Sequence, residues 1–161
     1  DRDTTGALIL AKNPYSAAVL SAQMKQRQIR RTYLAIVQGI TPEQGTIDAP
    51  IGRTADSTIE RQVDFANGES ALTHYERLAT YHSYSLIELH LETGRTHQIR
   101  VHMKYIGHPL PGDFLYNPDY RIFHRQPLHS FQMEFIHPVT AENMCITAPV
   151  PRDFADAFHR F

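Results

Sequence analysis

An α+β fold, with a mixed and mainly antiparallel β-sheet and flanking helices, is predicted by three features of this sequence. Strand-like segments outnumber helical ones. The connections are short, the clearest being His82 and Ser83, which alone separate ALTHYERLATY (71–81) from YSLIELHLE (84–92) and make those strands an antiparallel hairpin. The chain has 161 residues, 42% of them hydrophobic with no long apolar run, which suits one globular domain with its own core and no membrane span.

Periodicity and punctuation justify the elements in order. After the polar DRDTTG (1–6), ALILA reads as a buried strand. Asn13 and Pro14 then lead into a helix over about 16–28 whose core face is Ala17, Leu20 and Met24. RTYLAIVQG (31–39) is rich in strand formers and stops at Gly39, before the turn text ITPEQG. A short strand is expected over 46–51, and the polar GRTADSTIERQ (52–62) as a mobile hairpin or loop. Beyond the 71–92 hairpin and a helix at about 97–106, HPLPGDFLYNPDY (108–120) predicts irregular surface backbone. Strands near 127–136 and 142–148 precede a closing helix, in which Phe154, Phe158 and Phe161 recur at helical spacing and are expected to seal the core.

The formal net charge of −1 excludes a uniformly basic nucleic-acid binder, so phosphate contacts have to come from local cations such as Lys25, Arg27, Arg30 and Arg31. Cys145 is the single cysteine; it has no internal disulfide partner and favours a reducing cytoplasm. A charged start and a short first apolar run give no sign of a signal peptide. Ten histidines raise the question of a metal, but His97 and His102 lie about 140° apart on a helix, and neither HExxH nor CxxC occurs. No metal is expected.

Chemistry concentrates in LETGRTHQIRVHMKYIGHP (91–109), which gathers Arg95, His97, Arg100, His102 and Lys104. If Thr96 caps a helix whose apolar side is Ile99, Met103 and Ile106, then His97, Arg100 and Lys104 share the opposite face, with Gly107 and Pro109 as the stop. On spacing alone such a stripe is more often a solvated cationic face than a site.

The segments around it change that balance. DRDTTG, RRTYLAIVQG, TGRTHQIRVH, GHPLPGDFLYN, RQPLHSFQMEFIHPVT and APVPRDF occur in this order, and together the chain resembles the RluA-type RNA pseudouridine synthases from its first residue to about Asp153. The resemblance implies isomerisation of uridine to pseudouridine in ribosomal or transfer RNA, without cofactor. It implies that Asp1 is the catalytic carboxylate, although the His-Arg-Leu that precedes it in the family motif is absent. Thr5 stands where the family more often has Ser, which keeps the hydroxyl. Arg100 matches the basic partner of the Asp, a role suited to a guanidinium that stays charged and can pair bidentately. Tyr33 matches the tyrosine that stacks on the target uracil and is a candidate for taking the C5 proton. Arg95 and His97 are expected at phosphate or base contacts, and Lys25, Arg27, Arg30 and Arg31 along the RNA path. Attack at ribose C1′, attack at uracil C6 and a glycal route all remain open, and each requires the target base to be flipped out of its stack.

A single catalytic domain, N-terminally incomplete, is therefore expected over 1–161, monomeric, cytoplasmic and acting on structured RNA away from any membrane. The resemblance leaves open whether an S4-like RNA-binding domain precedes it. Two competing readings are a catalytically inactive RNA-binding module of the same fold and a metal-dependent nuclease, the latter suggested only by the histidines.

Overall fold

The structure, a computed structural model, describes residues 1–159, apart from the side chains of 158 and 159. A strand β1 (Thr5–Gly6) is followed by helix α1 (Pro14–Lys25), where Asn13 accepts the amide of Ser16 at 2.8 Å and Pro14 occupies the first turn. The β-branched and aromatic run that follows forms β2 (Arg30–Gln38). Next come β3 (Gln44–Asp48), β4 (Ile51–Arg53), β5 (Arg61–Val63), β6 (Leu72–Tyr81) and β7 (Tyr84–Leu91). Helix α2 (Gln98–Tyr105), β8 (Leu128–Ile136), β9 (Asn143–Thr147) and α3 (Arg152–His159) complete the chain.

The main sheet runs β1-β8-β2-β7-β6-β3, and β9 pairs with β8 beyond the end of β1. All its pairs are antiparallel except β1 with β8. A separate two-stranded sheet joins β4 to β5. The expected mixed, mainly antiparallel α+β architecture is the one observed.

Period-2 alternation explains the packing on both faces. Ala35 and Val37 of β2, with Ile87 and Leu89 of β7, face Ile99 and Met103 of α2. Leu34 and Ile36 point the other way, toward Phe123 and Phe154. Residues 34–37 are consequently buried throughout, the reason they read as a continuous apolar run.

Helix α2 is also bolted to the sheet by polar groups. The Gln98 amide donates to the Thr73 hydroxyl at 3.0 Å, and that hydroxyl meets His102 Nδ1 at 2.9 Å. His102 Nε2 lies 2.8 Å from the Ala49 carbonyl. A neutral ring donating from Nε2 satisfies the whole row, and burial lowers the His102 pKa in agreement with that form.

Several expectations are corrected. ALILA is not a buried strand: pairing ends at Gly6, whose φ of +110° turns the chain off the sheet, and Leu8 and Leu10 are 79% and 78% exposed. The inward face of α1 is Ser16 and Gln23 rather than Ala17 and Met24, because the Gln23 amide makes both hydrogen bonds to the backbone of Ile136. The segment expected as one strand over 46–51 is broken at Ala49 and Pro50 into β3 and β4, while 52–62 carries the β4–β5 turn in keeping with the expected hairpin. Phe154 is buried as expected, whereas the Phe158 side chain and Phe161 lie outside the described residues.

Candidate active site

Helix α2 departs most from its sequence reading, and the departure builds the site. Thr96 does not cap it. His97 does, in the left-handed region at φ 58° and without a side-chain capping bond, and residues Gln98–Met103 are buried on every face. Arg100 is therefore no solvated cation but a guanidinium only 1% exposed.

A buried charge needs a partner, and Arg100 finds it in Asp113, which is fully buried. The guanidinium donates from Nε and one terminal nitrogen to the two carboxylate oxygens at 2.6 and 2.7 Å, a bidentate pair. The amides of Leu115 and Tyr116 add donors to Asp113 Oδ1 at 3.0 and 3.2 Å. The remaining guanidinium nitrogen faces Asp1 Oδ2 at 3.6 Å. Arg100 thus bridges one fixed carboxylate and one at the mouth of a cleft.

Asp1 is delivered by a segment tied down at its carbonyls. Gln126, fully buried, donates to the Arg2 carbonyl at 2.7 Å, and Arg125 donates to the Asp3 carbonyl at 3.2 Å. Arg125 is in turn paired with Asp153 of α3 at 2.7 Å. Thr5 meets His129 at 2.8 Å, which fixes β1 against β8.

Tyr33 enters from β2 at a register shift between Thr32 and Tyr33 in the pairing with β8. Bulges of this kind re-aim side chains and concentrate at sites. Asp1, Thr4, Arg31, Tyr33, Leu91, Gly94, Arg95, His97 and Gln98 line one cleft of about 150 Å³. Arg31 shares it with Tyr33 because the two are two residues apart on a strand. Its guanidinium lies over Gly94, where an added Cβ would come within 2.9 Å of it.

Arg95 lines the same cleft while its guanidinium holds Glu69 and the Ser70 carbonyl. His97 sits 3.9 Å from Asp1 Oδ1 and 2.9 Å from the Tyr116 hydroxyl. Burial first, and the Arg100 charge second, lower its pKa to about 4, so the ring is neutral at physiological pH.

The predicted RNA-path cations do not stay together. Arg30 points to the face opposite Arg31 and, with Arg27, borders a groove at β8 and β9, while Arg27 also approaches Glu92 at 3.5 Å. Lys25 closes α1 outside the cleft. Among the described residues, no group of three or more His, Cys, Asp or Glu is placed to hold a metal ion. Asp113, Tyr116 and Gln126 are the side chains that sequence reasoning missed. The available signal was a lone carboxylate inside the apolar PLPGDFLY, which implies a buried cation nearby.

Comparison with known proteins matches this arrangement to a family. The sequence profile described as RNA pseudouridylate synthase covers residues 1–105. The chain belongs to the RNA pseudouridylate synthase family. An uncharacterized RNA pseudouridine synthase of Bacillus subtilis, YjbO, is 47% identical over 96% of this chain and 55% of its own length. The ribosomal large subunit pseudouridine synthase D of Haemophilus influenzae is 39% identical over 97% of this chain and 52% of its own. The chain spans about half the length of the curated relatives it matches. Among solved structures, human RNA pseudouridylate synthase domain containing 1 superposes with a TM-score of 0.81 at 30% identity, over 92% of this chain and 66% of that one. The synthase family profile takes in Asp1, Tyr33 and Arg100 and ends at the end of α2, short of Asp113.

Proposed function

We propose that the protein carrying this chain is an RNA pseudouridine synthase, isomerising particular uridines of structured RNA without a cofactor. The observation that carries the reading is the convergence of Asp1, Arg100 and Tyr33: Asp1 and Tyr33 line one cleft, and Arg100 reaches Asp1 from beneath it at 3.6 Å. In the reaction the N1–C1′ bond breaks, the uracil turns, and C5 bonds to C1′. The C5 hydrogen leaves as a proton and N1 ends protonated, so atoms balance with no oxidant, reductant or group carrier.

Each residue suits a part of that sequence. Asp1 supplies the carboxylate that works on the sugar or the base, faced by a guanidinium that Asp113 already anchors. Tyr33 offers an aromatic face for the everted uracil and a phenol oxygen for the C5 proton. Arg31 and Arg95 at the cleft wall suit the flanking phosphates. Flipping costs a few kcal/mol of unstacking, least in loops or distorted helices, so the target is expected to be ribosomal or transfer RNA with such a site. The names of several relatives make large-subunit ribosomal RNA the first substrate to try. We further propose that the protein acts as a monomer in the cytoplasm, a setting that suits the exposed free thiol of Cys145.

Mapping pseudouridines in cellular RNA with and without the gene tests the proposal. Loss of one or a few sites, restored by the wild-type gene and not by Asp1→Asn, is the expected result. An unchanged map points to an inactive RNA-binding module instead.

A further inference from the structure

Among the residues of the cleft, His97 has well-defined surroundings and no part in the chemistry above. Its Nδ1 lies 2.9 Å from the Tyr116 hydroxyl, and the rings meet edge to face at 5.7 Å and 79°. That hydroxyl also receives the backbone amide of Arg61 in β5 at 3.0 Å. Since the phenol oxygen already accepts from Arg61, its own proton is free to point at Nδ1. Burial raises the Tyr116 pKa, which keeps that proton in place. Nδ1 as acceptor leaves the imidazole proton on Nε2, the atom 3.9 Å from Asp1 Oδ1. The opposite tautomer would give the Tyr116 oxygen two donors and strand its hydrogen in a residue 6% exposed.

We infer that His97 is a positioning residue for the Asp1 carboxylate, presenting an Nε2–H donor to Oδ1 while Arg100 faces Oδ2, with the Tyr116 hydroxyl and the Arg61 amide selecting the tautomer. The inference rests on the synthase reading of the same cleft. The charged groups around the ring include Asp1 and the amino group of residue 1 at the cleft mouth, Arg100 on α2, Asp113 after it and Arg61 on β5. At 3.9 Å the contact with Asp1 is electrostatic in the free protein, and such contacts tighten when substrate closes the site. With a donor facing each oxygen, the carboxylate is restrained from rotating once those contacts tighten. The β4–β5 hairpin thereby gains a connection to the reacting group, hydrogen-bonded from the Arg61 amide through Tyr116 to His97 and electrostatic from His97 to Asp1.

Long-range proton–nitrogen NMR of the full-length protein with isotope-labelled histidine reads the tautomer directly. At neutral pH, His97 is expected as the neutral Nε2–H form in the wild type and as a mixture in Tyr116→Phe, which keeps the ring and loses the hydroxyl. A wild-type Nδ1–H form or an imidazolium overturns the inference.

Turnover gives an independent arm. His97→Gln places an amide near Nε2, whereas His97→Asn places it near Nδ1 and suits the left-handed backbone better. His97→Asn is expected to lose on the order of tenfold to a hundredfold in kcat with KM for RNA little changed, and His97→Gln to retain most activity. Asn performing as well as Gln would reduce His97 to a backbone turn and overturn the inference. No pseudouridine formed by the wild-type full-length protein on any RNA would instead sink the synthase reading, leaving the tautomer result intact.

Discussion

A guanidinium 1% exposed is tolerable only because of what surrounds it, and Asp113 is the residue on which Arg100 depends. Removing one member of a buried ion pair costs far more than the pair contributes, because the survivor stays desolvated and unpaired. Asp113→Ala is therefore expected to destabilise the protein by roughly 3–5 kcal/mol in chemical denaturation, with turnover lost as well. A loss under about 1 kcal/mol would mean that Arg100 has found water or another partner. His97 adds a pH dependence of known sign. Its folded pKa of about 4 lies below the unfolded value of 6.5, so the unfolded chain takes up the proton first on acidification. Its contribution is complete above pH 6.5 and is lost as pH falls toward 4, so Tm should drop through that window and drop less in His97→Gln. A flat Tm between those values would contradict the burial of this ring.

At the level of elements, the Asp1 carboxylate is placed by a strand of two residues. Gly6 makes this possible: its φ is +110°, and a Cβ there would collide with the Ser130 carbonyl oxygen. Gly6→Ala is expected to cost roughly 1–3 kcal/mol and to cut turnover disproportionately, because β1 must leave β8 and take Asp1 with it. Unchanged Tm and turnover would show that β1 does not set the position of Asp1.

Long periodic segments were the elements most legible in the sequence. The β6–β7 hairpin needed only its two-residue connection, and β2 only its run of strand formers. What failed was decided by tertiary contacts that periodicity does not encode. Met24 stays outside because Gln23 holds the Ile136 backbone, and the helix with the clearest cationic stripe proved buried from Gln98 to Met103 because Asp113, Thr73 and Ala49 satisfy its polar groups, leaving only Lys104 of that stripe exposed.

For the molecule as a whole, a net charge of −1 means that affinity for RNA must be local, and the sheet decides where. Strand alternation sends Arg31 into the cleft and Arg30 to the other face, a division invisible when the four cations are read as one cluster. If the cleft carries the RNA, Arg31→Ala should lower the slope of log K against log salt by about one, while Arg30→Ala and Lys25→Ala leave it unchanged. Equal effects at all three would move the RNA path onto α1 and the opposite face of the sheet. Asp1, Tyr33 and Arg100 were legible only through their motifs, whereas the supports that join those motifs in space, Asp113, Tyr116 and Gln126, lie in loops whose partners are distant in sequence. If the Asp1 carboxylate turns a uracil over in this cleft, the hydrogen on C5 must be released. Tritium release from RNA labelled at uridine C5, measured with the full-length protein in chelator-containing buffer, tests it most directly. Release by the wild type, in step with pseudouridine formed, and none by Asp1→Asn that still binds the RNA is the expected result; release undiminished in Asp1→Asn would rule out a role for this carboxylate.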